Sequence, residues 1–225
     1  MRVEPIQVGR AEIRSVEDLI AFHRRIRPYI LRRLAEFKKS FEEGNEAIFE
    51  ELVFCILAAG ASARMGVRGV EALRGVLLSA PAEELAERLQ GLHLYPASRA
   101  KYIAETRDYL ASKFRFRLKE LILSFDDAMG RRDFFAKNRH IKGIGYKGAS
   151  HFLRNIGFSG YAILDKHVLR GLAGLGVIEG GRPPSTRRQY LEIESKMREF
   201  AERVGIPLDE MDFVLWAART GMILK

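Results

Sequence analysis

Apolar residues recur three and four positions apart along almost the whole chain, the spacing of one buried face on an α-helix. From Ser15 or Val16 the run EDLIAFHRRIRPYILRRLAEF carries this period, with Pro28 placed to kink or break it. Residues 45–60 are apolar nearly throughout. Their length and alanine content favour a buried helix over a strand. Gly60, Ala61 and Ser62 punctuate the chain, and a shorter helix is expected over VEALRGVLL. Pro81 opens AEELAERL and Pro96 opens ASRAKYIAETRDYLASKF, each suiting a first helical turn, where a missing N–H costs nothing. Two short helices fall within residues 117–136. YKGASHFLRNI, DKHVLRGLAGLG, TRRQYLEIESKMREFAERV and LDEMDFVLWAARTG complete the series. The pattern predicts an all-α protein. A central lobe is expected over residues 45–158. Residues 1–44 and 159–225 are expected to form a second lobe, with a substrate cleft between the two.

Composition narrows the class. Of 225 residues, 47% are hydrophobic and 30% charged, the balance of a soluble globular protein. No apolar run approaches the about eighteen residues of a membrane span, so no membrane partner is expected. The N-terminal stretch is polar and mixed in charge, which points to the cytoplasm. The single cysteine, Cys55, lies in LVFCILAA and reads as a buried thiol. It cannot supply an internal disulfide or a four-cysteine cluster. The five histidines form no metal pattern, so neither metal nor cofactor is expected.

The net charge of +9 attracts polyanions, and its distribution is informative. Between Arg131 and Arg154 stand seven Lys and Arg residues against one acid, Asp133. In the middle lies His140-Ile141-Lys142-Gly143-Ile144-Gly145-Tyr146-Lys147-Gly148. A helix precedes this segment and helical periodicity follows it, so the element near 132–156 is a helix-hairpin-helix. Gly143 and Gly145 permit a tight turn and close approach of a partner. Hairpin amides and the start of the next helix can hold a phosphate, with Lys142 adding charge. Such an element grips backbone rather than bases and positions the protein without sequence preference. The spacing does not match a Walker A nucleotide loop.

Lys147 stands in the first turn after the hairpin. The positive end of that helix disfavours a charged amine, and an uncharged amine is a nucleophile. Asp165 follows the apolar run AILD just as a helix begins, the place of an N-cap. At a cleft the same carboxylate could stabilise positive charge on a reacting sugar. His167 is a candidate phosphate contact or packing residue.

At these residues a resemblance enters. IKGIGYKGASHFLRNIGFSGYAILDKHVLR resembles the catalytic core of the helix-hairpin-helix DNA glycosylases. The chain over most of residues 45–225 is similar to the archaeal-type 8-oxoguanine DNA glycosylase/AP lyases. The resemblance implies a two-lobed fold with the active site in a cleft between lobes. It implies Lys147 as nucleophile and Asp165 as the catalytic aspartate. The ending WAARTGMILK is also similar, and implies base recognition by Trp216 and Lys225, with Asp212 near the same pocket. A terminal carboxylate after Lys225 could share in that recognition. The relatives' implied work is base excision repair: removal of 8-oxoguanine from duplex DNA through a lysine Schiff base, then β-elimination. The implied partner is duplex DNA bearing an oxidised base or abasic site, bound by a monomer on chromosomal DNA. A glycosylase for another oxidised base and a non-catalytic hairpin DNA-binding protein remain alternatives.

Overall fold

The computed structural model of the chain describes residues 4–225. Among them are eleven helices and one pair of two-residue strands. In chain order these are β1 (Ile6–Gln7), α1 (Val16–Glu42), α2 (Asn45–Ala58), α3 (Ala63–Leu73), α4 (Ala82–Leu89) and α5 (Pro96–Phe114). Then follow α6 (Leu118–Leu123), α7 (Ala128–Lys137), α8 (Tyr146–Asn155), α9 (Lys166–Gly174), α10 (Arg187–Val204), α11 (Leu208–Thr220) and β2 (Met222–Ile223). The fold is all-α, as the periodicity requires.

Residues 37–157 form one compact unit. Its centre is α2, buried from Ile48 to Ala58 except at the polar edge around Glu50. Helices α3, α5, α6 and α8 all lie against α2. The expected helix over VEALRGVLL is corrected: α3 begins seven residues earlier, at Ala63, and ends at Leu73. Ser62 caps it by accepting from the Met65 N–H at 3.1 Å. Gly66 and Gly69, which look like breakers, sit inside α3 because α2 runs too close for a side chain. A Cβ at Gly69 would lie 2.8 Å from Leu57 Cδ1, and one at Gly66 would lie 3.0 Å from the Phe54 ring. Close packing here outweighs the about 1 kcal/mol that each helical glycine costs. Helices α7 and α8 are joined through aromatic edges. Phe135 meets Phe152 at 4.8 Å between ring centres and Phe134 at 5.1 Å.

Residues 4–36 and 158–225 form the other unit. Its helices α9, α10 and α11 pack together, with the first part of α1. Pro28 neither kinks α1 into two helices nor ends it, contrary to expectation: α1 runs unbroken through it. Leu19, Phe22, Ile26 and Ile30 are all buried along this stretch. That burial offsets the about 3 kcal/mol penalty of an interior proline. His23 and Glu210, both buried, meet at 2.6 Å and join α1 to α11, with Arg27 bonding the same carboxylate at 3.1 Å. The strand pair was not foreseen, because two-residue strands carry no alternation to read. Ile6 pairs with Ile223 and Gln7 with Met222, antiparallel. The Val8 and Gly9 amides donate to the Gly221 carbonyl and extend the seam. No helix among the described residues is long and apolar enough to cross a membrane.

Candidate active site

The hairpin is built from the residue types its turn demands. Asn138 ends α7 in extended conformation, and its side chain accepts from the His140 N–H at 3.0 Å. The His140 ring stacks on Tyr109 at 4.7 Å between centres. Gly143 has φ +81°, in the left-handed region. A Cβ there would meet Tyr102 at 2.8 Å, the Arg99 guanidinium at 3.0 Å and Ile56 at 3.3 Å. The two glycines therefore do different work. Gly143 allows the turn to close onto α2 and α5. Gly145 has φ −121°, is exposed, and has open space where a side chain would stand. It leaves a clear approach to the start of α8.

The amides on this approach are unspent. Among the described residues, the N–H groups of Gly143, Gly145, Lys147 and Gly148 have no acceptor. The Lys142 amide differs: it donates to Thr106 Oγ1 at 3.1 Å, so only its side chain is left for a phosphate. Lys147 is half-buried in the first turn of α8, and its amine forms no hydrogen bond or ion pair among the described residues.

Four supporting residues escaped the sequence reading. Tyr146 donates its hydroxyl to Asp133 Oδ1 at 2.6 Å, and Lys137 holds Asp133 Oδ2 at 2.5 Å. Burial raises the Tyr146 pKa first, and the bond to Asp133 adds to it. This tie lashes α7 to the start of α8 one residue before Lys147. The signal was present, since Asp133 is the only acid in a basic run. Arg99 is the fourth. It donates to the Ala59 carbonyl, lies over the Tyr102 ring at 5.7 Å, and abuts Gly143. Arg99 thus couples the segment after α2 to the hairpin.

In the other unit, Asp165 caps α9. Its Oδ1 accepts from the His167 and Val168 amides, both at 2.8 Å. Among the described residues its Oδ2 accepts nothing, so half of the carboxylate is left for other work. The half-buried His167 ring has its pKa lowered by burial. Lys166, Arg170 and Arg219 push the same way against the attraction of Asp165. Asp212 and Trp216 stand one turn apart on α11, on one face. Asp212 is buried, with Oδ1 accepting from the Phe213 amide at 2.8 Å, whereas Trp216 is half-buried. Lys225 follows β2 directly and is half-buried. No cluster of three or more metal-binding side chains occurs among the described residues.

Comparison with known proteins places the chain among characterised families. The family model for 8-oxoguanine DNA glycosylase matches residues 30–206. A protein of Korarchaeum cryptofilum called 8-oxoguanine DNA glycosylase/AP lyase is 43% identical over 89% of this chain and 92% of its own length. One of the same name from Methanocaldococcus jannaschii is 40% identical over 95% of this chain and 99% of its own. The crystal structure of the M. jannaschii glycosylase/lyase with a 15-mer DNA containing 8-oxoguanine superposes with a TM-score of 0.85. The identity there is 38%, covering 93% of this chain and 99% of that one. The 8-oxoguanine DNA glycosylase of Thermotoga maritima gives a TM-score of 0.83 at 38% identity, covering 93% of this chain and 98% of that one.

Proposed function

The chain belongs to the 8-oxoguanine DNA glycosylase family, and from that premise we propose how it works on duplex DNA. It is a bifunctional 8-oxoguanine DNA glycosylase/AP lyase of base excision repair. In this reading the two compact units are the two lobes of the glycosylase fold, and the protein acts as a monomer.

The observation that carries the assignment of Lys147 is its unpaired amine beside a row of unspent hairpin amides. Those amides, with Lys142 and His167, hold the sugar–phosphate backbone. A base inside the duplex is out of reach of a side chain, so the damaged nucleotide must leave the stack. Trp216 offers a flat face to the extruded base. Asp212 and Lys225 contribute polar contacts at the base edge.

The Lys147 Nζ lone pair then attacks C1′ of the sugar. The C1′–N9 bond breaks, and the base departs with the bonding electrons and takes up a proton. Positive charge builds on the sugar before attack is complete, and the free Asp165 oxygen stabilises it. The sugar ring opens with O4′ leaving as a hydroxyl, which gives a protonated Schiff base at C1′. That iminium acidifies the C2′ proton. Loss of this proton expels the 3′ phosphate, breaks the C3′–O3′ bond and cuts the strand. Hydrolysis of the imine releases Lys147.

Borohydride reduction of the imine gives a stable covalent protein–DNA adduct. The wild type is expected to form it on 8-oxoguanine duplexes, and Lys147→Gln is expected to form none while still binding DNA. An adduct retained by Lys147→Gln would refute the assigned nucleophile. A panel of duplexes with single oxidised bases separates 8-oxoguanine from other lesions.

A further inference from the structure

A pocket of about 140 Å³ lies wholly within the unit of residues 4–36 and 158–225. Three arginines from three separate segments line it: Arg14 before α1, Arg170 in α9 and Arg219 in the last turn of α11. Gly171, Leu215 and Ala218 give it an apolar lining. This lining is tight because a Cβ at Gly171 would lie 2.8 Å from Leu215 Cδ2. No assigned role uses this pocket, and its lining does not include Asp212, Trp216 or Lys225.

The charges at its mouth are unequally satisfied. Arg14 is bonded to Glu12 at 2.8 Å, and both side chains are well exposed. Arg170 and Arg219 are exposed and form no hydrogen bond or ion pair among the described residues. Glu12 feels Arg219 only at longer range: its pKa is lowered first by the Arg14 bond and lastly among the attractive causes by the Arg219 charge. Two exposed arginines therefore line one opening with no hydrogen-bond or ion-pair partner among the described residues. The last turns of α9 and α11 bring partial negative charge to the apolar lining. An anion is favoured at the rim, between the guanidinium forks, and disfavoured deep inside. A phosphodiester suits this arrangement. It carries one charge, and its oxygens match the paired donors of a guanidinium.

Position makes the ligand a DNA phosphate. Arg170 is five residues along α9 from Asp165, about 7.5 Å of helix rise. The pocket therefore lies in the same unit, and on the same helix, as the carboxylate read as facing the reacting sugar. We infer that Arg170 and Arg219, with Arg14 beside them, hold a phosphodiester of the lesion-bearing DNA near the reacting sugar. This contact rests on the reading of Asp165 as the residue facing that sugar. It adds a second backbone grip to the hairpin's, from a different unit.

The salt dependence of binding reads the contact. Affinity for a duplex carrying a non-cleavable abasic analogue is measured from low to moderate salt for the wild type, Arg170→Gln/Arg219→Gln and Arg170→Lys/Arg219→Lys. The glutamine pair is expected to bind about tenfold more weakly at low salt, the loss of one charge-assisted contact. Its log–log salt slope should be shallower by about one, the release from a single phosphate. The lysine pair should recover most of the slope. Melting temperatures equal to wild type establish that the exposed substitutions leave the fold intact. A second arm replaces single phosphates near the lesion with neutral methylphosphonates. One position should weaken the wild type but not the glutamine pair, because the partner is already gone. Wild-type affinity and slope in the glutamine pair, or additive effects at every methylphosphonate position, would overturn the inference. Borohydride trapping by the wild type is run alongside. No adduct would sink the proposed reaction, whereas an adduct with an unchanged salt slope would sink only the pocket.

Discussion

Tyr146 donates its hydroxyl to Asp133 at 2.6 Å, and this bond fixes the first turn of the helix that carries Lys147. A nucleophile gains from such a tie because small errors in its position are amplified in rate. Tyr146→Phe removes the bond and keeps the ring. The expected result is a three- to tenfold slower single-turnover base release, from a bond worth about 1 kcal/mol. DNA affinity should change little, and a melting scan should show a loss of about 2–4 °C. Equal rates for the variant and wild type would show that the tie serves stability alone.

Asp165 combines capping and chemistry in one carboxylate, and the two can be separated. Asparagine caps a helix about as well as aspartate but carries no charge. Asp165→Asn should therefore keep the melting temperature within a degree or two of wild type. Base release should fall by about a hundredfold or more, the scale of losing an electrostatic stabiliser. Asp165→Ala should show the same loss of rate and also melt lower, by about 1 kcal/mol of lost capping. A stable Asp165→Asn variant with full activity would leave the residue only its cap.

The hairpin glycines should respond oppositely to alanine. At Gly143 the left-handed φ and the 2.8 Å approach of Tyr102 leave no room, so Gly143→Ala should destabilise by about 2 kcal/mol or more. At Gly145 the backbone suits any residue and the space is open, so the fold should tolerate alanine. The new methyl group would stand in the phosphate's path. Gly145→Ala is expected to melt like wild type and bind duplex DNA about tenfold more weakly, a loss of 1–2 hydrogen bonds to phosphate. Thermal melting and a binding titration give both answers.

The buried His23–Glu210 pair, joined from the surface by Arg27, makes the unit containing α11 sensitive to acid. Burial tends to raise the Glu210 pKa, but the bonds from His23 and Arg27 outweigh it and leave the value lowered. A carboxylate lowered on folding stabilises fully above its unfolded pKa, and that contribution fades as pH falls through the folded value. Glu210→Gln should lower the melting temperature at neutral pH by about 10 °C, from roughly 3 kcal/mol for a broken buried pair. The gap between variant and wild type should narrow as pH drops below the usual carboxylate range. A gap that stays constant into acid would show that the charge of Glu210 contributes nothing.

Most helices were legible because an amphipathic period and its stop signals are local. The hairpin was the clearest case. The glycines, Lys147 and the flanking helices lie within about two turns of one another in sequence, and Asp165 announces itself by preceding a helix it caps. The failures share one cause. Pro28 read as a break, and the start of α3 was placed seven residues late, because local propensity is all a sequence window contains. Whether Phe54 and Leu57 crowd Gly66 and Gly69 depends on another helix. The pairing of Ile6 with Ile223 spans nearly the entire chain. So do the bond between His23 and Glu210 and the gathering of Arg14, Arg170 and Arg219 around one pocket. Order within a helix follows from neighbours a few residues away, so it is written in the chain as a period. Which distant side chains share a core or a charge is settled when separate faces are buried together, and no spacing along the chain encodes that.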